Sequence, residues 1–231
     1  MKGSCIIVSG SSSGIGKSVS ESLLKKGATV IGLSRTQKDF IPKSNRYRWY
    51  NCDISNLKKL SEVFKKILVD NPRIDGFVSN AGFGEFRGFE SFSTNQIISY
   101  LHANLLSHMI MTRALIPVMK KQKKGKIIFI GSESALKGGQ QGSLYNVAKF
   151  GLRGFSQAIR EECAKSKVHI SIVNPGMVRT SFFDNLSFSP GDNSNNAIEP
   201  GDVAKMILSI LEMRQGTVID EINFSPLTKV I

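Results

Sequence analysis

Cysteine is scarce in this chain. Cys5, Cys52 and Cys163 are three among 231 residues, odd in number and without CxxC spacing. That argues against a disulfide framework or a thiolate zinc site and leaves buried, reduced thiols. Histidine is equally thin. His102, His108 and His169 show no paired ligand spacing, so no metal centre is expected. Long apolar runs are missing as well. None approaches the roughly 20 residues that a membrane-spanning helix needs. The run CIIV in the opening MKGSCIIVSG is too short for a signal-peptide core, and a Gly/Ser turn follows at once. It reads as a first buried strand of a cytoplasmic protein with no membrane partner.

Acidic residues are in deficit, 18 Asp and Glu against 31 Lys and Arg, for a net charge of +13. Such a balance favours acidic or phosphate-bearing partners. The densest basic run, KKQKKGK, holds Lys120, Lys121, Lys123, Lys124 and Lys126 between a helical pattern and an apolar strand. Cations complement the dipole at a helix C-terminus. No aromatics interleave with the run and no DNA-reading helix accompanies it. A solvated helix end is therefore expected, and no nucleic-acid partner. A basic nucleic-acid binder stays as an alternative, marked by steeply salt-sensitive retention on DNA.

Hydrophobic residues make up 41% of the chain. Strand-like runs occur at 5–9, 29–34, 47–50, 75–80, 126–131, 169–174 and 217–222. The central ones are apolar throughout, as buried parallel strands are. Between them lie stripes of helical period: Ile15, Val19 and Leu23; Leu57, Leu60, Phe64, Ile67 and Leu68; Ile98, Leu101, Leu105 and Met109; Leu152, Phe155 and Ile159; Val203, Ile207, Ile210 and Leu211. This alternation predicts a single α/β domain over 1–231, a doubly wound, mostly parallel sheet with helices on both faces. The polar stretch 189–202 reads as a loop.

SGSSSGIG follows the first strand and opens a helix, with glycines at Gly10, Gly14 and Gly16. Glycines let the backbone approach a pyrophosphate, and the free N–H groups at the helix start take its charge. The second strand ends in Ser34-Arg35-Thr36, where an NAD site usually has an acidic residue for the ribose. An arginine fork grips a 2′-phosphate instead, with hydroxyl help from Ser34 and Thr36. The expected cofactor is NADP(H). Lys17 is placed to add positive potential.

SLYNVAKFG sets Tyr145 and Lys149 four residues apart, on one helical face. Bringing a tyrosine from its usual pKa near 10 to near 7 takes roughly 4 kcal/mol. An ammonium about 4 Å away supplies roughly that at an effective dielectric of about 20, and with help from an oxidised nicotinamide is enough for the task. A tyrosine so tuned can protonate the oxygen of a carbonyl under hydride attack. Ser132, thirteen residues earlier at a strand's carboxyl end, projects into the crevice where open α/β sheets hold ligands. Its hydroxyl can polarise that carbonyl.

The GxxxGxG loop, CDI with Asp53, SNAG at 79–82, Asn104 in HANLLS, Ser132, the YxxxK pair and NPGMVRT at 174–180 together resemble the short-chain dehydrogenase/reductase family. The likeness runs from about residue 4 to about residue 222. Two positions depart from the family pattern: Ser9 stands for its usual Thr, and Ser79 for the first Asn of NNAG. The resemblance implies a Rossmann-like sheet of seven strands in the order 3-2-1-4-5-6-7 and a homodimer or homotetramer packed through 98–120 and 145–165. It implies a catalytic set of Asn104, holding a relay water, with Ser132, Tyr145 and Lys149. Implied cofactor contacts are Gly10, Ser12, Ser13, Gly14, Ile15 and Gly16; Ser34, Arg35 and Thr36; Asp53 and Ile54; Asn80, Ala81 and Gly82; Tyr145 and Lys149; Pro175, Gly176, Val178 and Thr180. Asp53 and Thr180 could also cap the helices that follow them, which does not exclude a cofactor contact.

Candidate substrate residues are Phe83, Phe86, Glu133, Gln140, Phe182, Phe183 and Phe188, with a substrate loop over about 181–200. Aromatic walls suit an apolar pocket, and the same residues could equally belong to the core or to an interface. The expected activity is reversible hydride transfer between NADP(H) and a small ketone, aldehyde or 3-hydroxy acid. A cofactor-binding regulator without turnover is the other reading. It gains if NADPH binds but no carbonyl is reduced.

Overall fold

In the computed structural model, residues 1–37 and 40–228 are described. Seven parallel strands form one sheet in the order β3-β2-β1-β4-β5-β6-β7. They are β1 (Cys5–Ser9), β2 (Thr29–Ser34), β3 (Tyr47–Asn51), β4 (Gly76–Ser79), β5 (Gly125–Ile130), β6 (Val168–Pro175) and β7 (Glu221–Phe224). The order is the one that the sequence resemblance implies. The helices are α1 (Gly14–Lys25), α2 (Leu57–Asp70), α3 (Thr94–Leu101), α4 (Ser107–Gln122), α5 (Ser143–Ala164) and α6 (Pro200–Glu212).

Alternate strand residues point to opposite faces, and both faces are covered. Ile6, Val8, Val30, Val78, Ile128 and Val173 pack with Val19 and Leu23 of α1 and Val203 and Ile207 of α6. Ile7, Ile31, Phe77, Ile127, Phe129 and Ile170 pack with Leu60 and Phe64 of α2, Met111 and Leu115 of α4 and Leu152 of α5.

The structure corrects the sequence reading in three places. The last strand begins at Glu221, not at 217, because Glu221 pairs with Ile172 and is held by Arg153 at 2.9 Å. As an edge strand it has no second neighbour to extend it.

The stripe Ile98, Leu101, Leu105 and Met109 is not the buried face of its segment: Ile98 is 47% exposed. A π-helical turn at His102–Leu106 joins α3 to α4. The buried face there carries Tyr100, Asn104, Ser107, His108 and Thr112. Its polar side chains, of which Tyr100, Asn104, Ser107 and His108 have internal partners, hide that face from an apolar periodicity.

The basic run is more than a solvated helix end. Lys126 is buried, and its Nζ donates to the carbonyls of Ile210 (3.1 Å), Leu211 (2.9 Å) and Met213, closing the C-terminus of α6. Lys120 donates to the Glu162 carbonyl, and Lys124 lies 3.8 Å from the buried Asp75 carboxylate. Among the described residues, no helix is long and apolar enough to cross a membrane.

Candidate active site

The strands' carboxyl ends meet the helix starts along one edge. The Gly10 amide bonds to the Leu33 carbonyl, and Gly10 turns the chain with φ of +67°, a backbone that favours glycine. A Cβ on Gly16 would sit 2.1 Å from the Gly10 carbonyl, so only glycine lets α1 start this close to the turn. Ser13 caps α1 by its backbone only, leaving the first amides of α1 without a side-chain partner. Ser12 and Ile15 belong to the same turn and helix start. A Cβ on Gly14 would meet Thr180 Cγ2 at 3.1 Å, so the loop after β6 faces the helix start across a narrow gap. Uncapped amides beside a gap that a single methyl would fill suit a pyrophosphate.

Ser9 accepts from the amides of Asn80 (2.9 Å) and Ala81 (3.1 Å), and Asn80 Nδ2 donates to the Ser9 carbonyl. The serine that departs from the family pattern thus locks Asn80-Ala81-Gly82 to β1. At the end of β2, Ser34 is turned inward. Its hydroxyl donates to the Thr36 carbonyl (2.6 Å) and accepts from Trp49 Nε1 (2.9 Å). With its single proton committed, Ser34 offers no donor to a phosphate. This corrects the expected help from its hydroxyl. Arg35 and Thr36 are exposed beside it. Asp53 bonds to the amide and hydroxyl of Ser55, which holds its carboxyl below the usual range, and Arg35 adds to that. Asn56, not Asp53, caps α2. Ile54 packs in the second core cluster.

Tyr145 and Lys149 lie in the first two turns of α5, both buried. Lys149 Nζ donates to the Ile130 carbonyl at 2.9 Å and lies 5.7 Å from the centre of the Tyr145 ring. Ser132 follows β5, accepts from the Ser134 amide, and lies close enough to the Tyr145 hydroxyl to lower its pKa. Burial pushes Tyr145 up to about 12; Ser132 works against this, and the Glu133 carboxylate adds to it. Burial brings Lys149 down to about 8. The chain's own groups leave the phenol above its usual value; the sequence argument relied on an oxidised nicotinamide as well as the ammonium. Desolvation of the phenolate outweighs its partners here.

Asn104 sits in the π-helical turn, a feature frequent at functional sites. Its Oδ1 accepts from the Phe83 amide (2.9 Å) and its Nδ2 donates to the Tyr100 carbonyl (3.1 Å). One Nδ2 hydrogen and one Oδ1 lone pair remain for a water.

The loop after β6 follows the resemblance in part. Pro175 ends β6, the Gly176 amide bonds to Phe224, and Val178 pairs with Ile198. Thr180 caps a 3-10 turn at Ser181–Phe183 by accepting from the Phe182 amide. Phe182 and Phe183 join the aromatic wall around Tyr145. Phe83 instead stacks on Tyr100 and is 47% exposed. Gln140 is exposed on the loop before α5.

Two arrangements had no sequence signal. His108 Nδ1 bonds to Ser79 Oγ at 2.6 Å inside the core, joining α4 to β4. Asn146 ties the 134–139 loop to α5 through the carbonyls of Ser134 and Lys137 and the Gly139 amide. Each is a lone polar residue in the sequence, and its partner is distant or lies in a loop.

The sequence profile described as short chain dehydrogenase matches residues 4–189. The carbonyl reductase family member 4 of Xenopus laevis is 30% identical over 89% of this chain and 89% of its own. The NADP-dependent 3-hydroxy acid dehydrogenase of Schizosaccharomyces pombe is 27% identical, covering 95% of this chain and 91% of its own. A solved metagenomic short-chain oxidoreductase in complex with NADP superposes with a TM-score of 0.85 at 25% identity, over 99% of both chains. Profile, relatives and fold agree: this chain belongs to the short-chain dehydrogenase family of oxidoreductases.

Proposed function

We propose that the chain is an NADP(H)-dependent reductase acting on a small carbonyl compound or its secondary alcohol: a ketone, an aldehyde or a 3-hydroxy acid. The observation that carries this is Tyr145, buried, near enough to Ser132 for that side chain to lower its pKa, and lying beside the Lys149 ammonium, at the sheet edge that also holds the glycine turn. The nicotinamide, when bound, supplies the hydride, and its oxidised form adds positive charge beside the phenol. Tyr145 gives the proton to the carbonyl oxygen. Ser132 polarises that carbonyl and favours the phenolate that forms. Lys149 stabilises the phenolate, and a water held at Asn104 resupplies the proton.

Arg35 and Thr36 would hold the 2′-phosphate, the amides of 14–16 the pyrophosphate, and Thr180 the carboxamide. The family relative and the superposed structure, both described with NADP, support this cofactor. We place the whole of 1–231 in one cytoplasmic domain. Ile98 at 47%, Val147 at 54% and Phe150 at 43% exposure support assembly through 98–120 and 145–165.

The test is an NADPH-oxidation assay over small ketones, keto acids and 3-hydroxy acids. Tyr145→Phe is expected to lower turnover by about 10²–10⁴-fold, the range of general-acid catalysis, with NADPH still bound. Substantial residual turnover would remove Tyr145 as the proton donor.

A further inference from the structure

Five aromatic rings close into a circuit that includes the phenol. Tyr145 contacts Phe86 (5.1 Å between ring centres), Phe86 contacts Phe188 (4.9 Å), and Phe188 contacts Phe183 (5.8 Å). Phe183 contacts Phe182 (5.1 Å), which returns to Tyr145 (5.9 Å). The rings come from three separate segments: the loop after β4, the start of α5 and the loop after β6. Gly84 makes the closure possible. A Cβ there would sit 2.4 Å from Phe182 and 2.8 Å from Phe86.

A substituent on a carbonyl that reaches the Tyr145 hydroxyl must therefore lie against Phe86 and Phe182. Both are tilted to the phenol, at 45° and 57°. Such walls offer faces and edges to a flat ring, which gains ring–ring contact that a flexible chain does not make and loses less rotamer freedom.

We propose that Phe86 and Phe182 determine specificity, selecting ketones that carry an aryl or other flat cyclic group next to the carbonyl over linear ketones. This rests on the reductase reading above and narrows it.

The test compares kcat/KM with NADPH for acetophenone and 2-octanone, with 2,3-butanedione as a small reactive control for the wild-type enzyme. The acetophenone-to-octanone ratio is expected to fall roughly fivefold in Phe182→Leu, and again in Phe86→Leu, within the range that one ring–ring contact contributes. The two variants lie on different loops, and retained NADPH affinity shows each to be folded. Butanedione turnover with an unchanged ratio in both variants overturns the selectivity alone. Failure of every carbonyl, with NADPH bound, overturns the reductase reading and the selectivity with it.

Discussion

Lys149 Nζ donates to the carbonyl of Ile130, the last residue of β5, while lying 5.7 Å from the centre of the Tyr145 ring. One ammonium is thus anchored to the sheet and aimed at the phenol. It is also buried, and burial lowers its pKa to about 8.

That burial has a stability consequence with a defined sign. The unfolded lysine titrates near 10.5 and the folded one near 8, so between these values the unfolded chain binds more protons. Stability then rises with pH across that window, and below pH 8 the full penalty applies. Lys149→Met is expected to gain on the order of 1–3 kcal/mol at pH 7. The gain should shrink above pH 10, and turnover should be lost. Thermal melts at pH 7 and pH 10 check it; a variant less stable at pH 7 would mean that the bond to Ile130 outweighs the burial.

Arg35 stands exposed at the end of β2, close enough to Asp53 to lower its pKa. Since Ser34 keeps its proton for Thr36, Arg35 is left as the main charged donor to a 2′-phosphate. Arg35→Asp is expected to move the NADPH-to-NADH preference by about 10–100-fold, the range of a charge-assisted contact. Ratios of kcat/KM for the two cofactors check it, and an unmoved ratio takes Arg35 out of the site.

His108 is fully buried against Ser79, and burial, with Lys149 adding, brings its pKa down to about 3. Between that value and the unfolded value of 6.5 the unfolded state binds the extra proton. Its share of stability is complete above pH 6.5 and is lost as pH falls towards 3. His108→Gln is expected to flatten the acid limb of the stability curve, leaving a smaller loss between pH 6.5 and pH 4. Urea midpoints across that range measure it; parallel acid limbs for wild type and variant would assign the acid loss elsewhere.

The glycine turn, the YxxxK pair and Ser132 were legible because each rests on local spacing. Gly10 and Gly16 meet a steric demand within one turn, and Tyr145 and Lys149 share a face by helical period alone. The buried strands were legible from their unbroken apolar runs. The buried face of α3 and α4 was not, since beside Met111 and Leu115 it carries Tyr100, Asn104, His108 and Thr112. Tyr100, Asn104 and His108 are buried with their partners Phe83 and Ser79, distant in sequence. Lys126 misled for the same reason: in the sequence it ends a basic run, and in the fold it closes α6.

By itself the sequence determined the α/β alternation, the phosphate-type turn and the order of the catalytic candidates. These follow from backbone sterics and side-chain period, which act over a few residues. Tertiary structure decided the protonation of the site and the shape of its wall. Desolvation sets where Tyr145 and Lys149 titrate, and the circuit from Phe86 to Phe188 exists only because three distant segments converge. Both depend on what surrounds a residue in space, which local spacing does not encode.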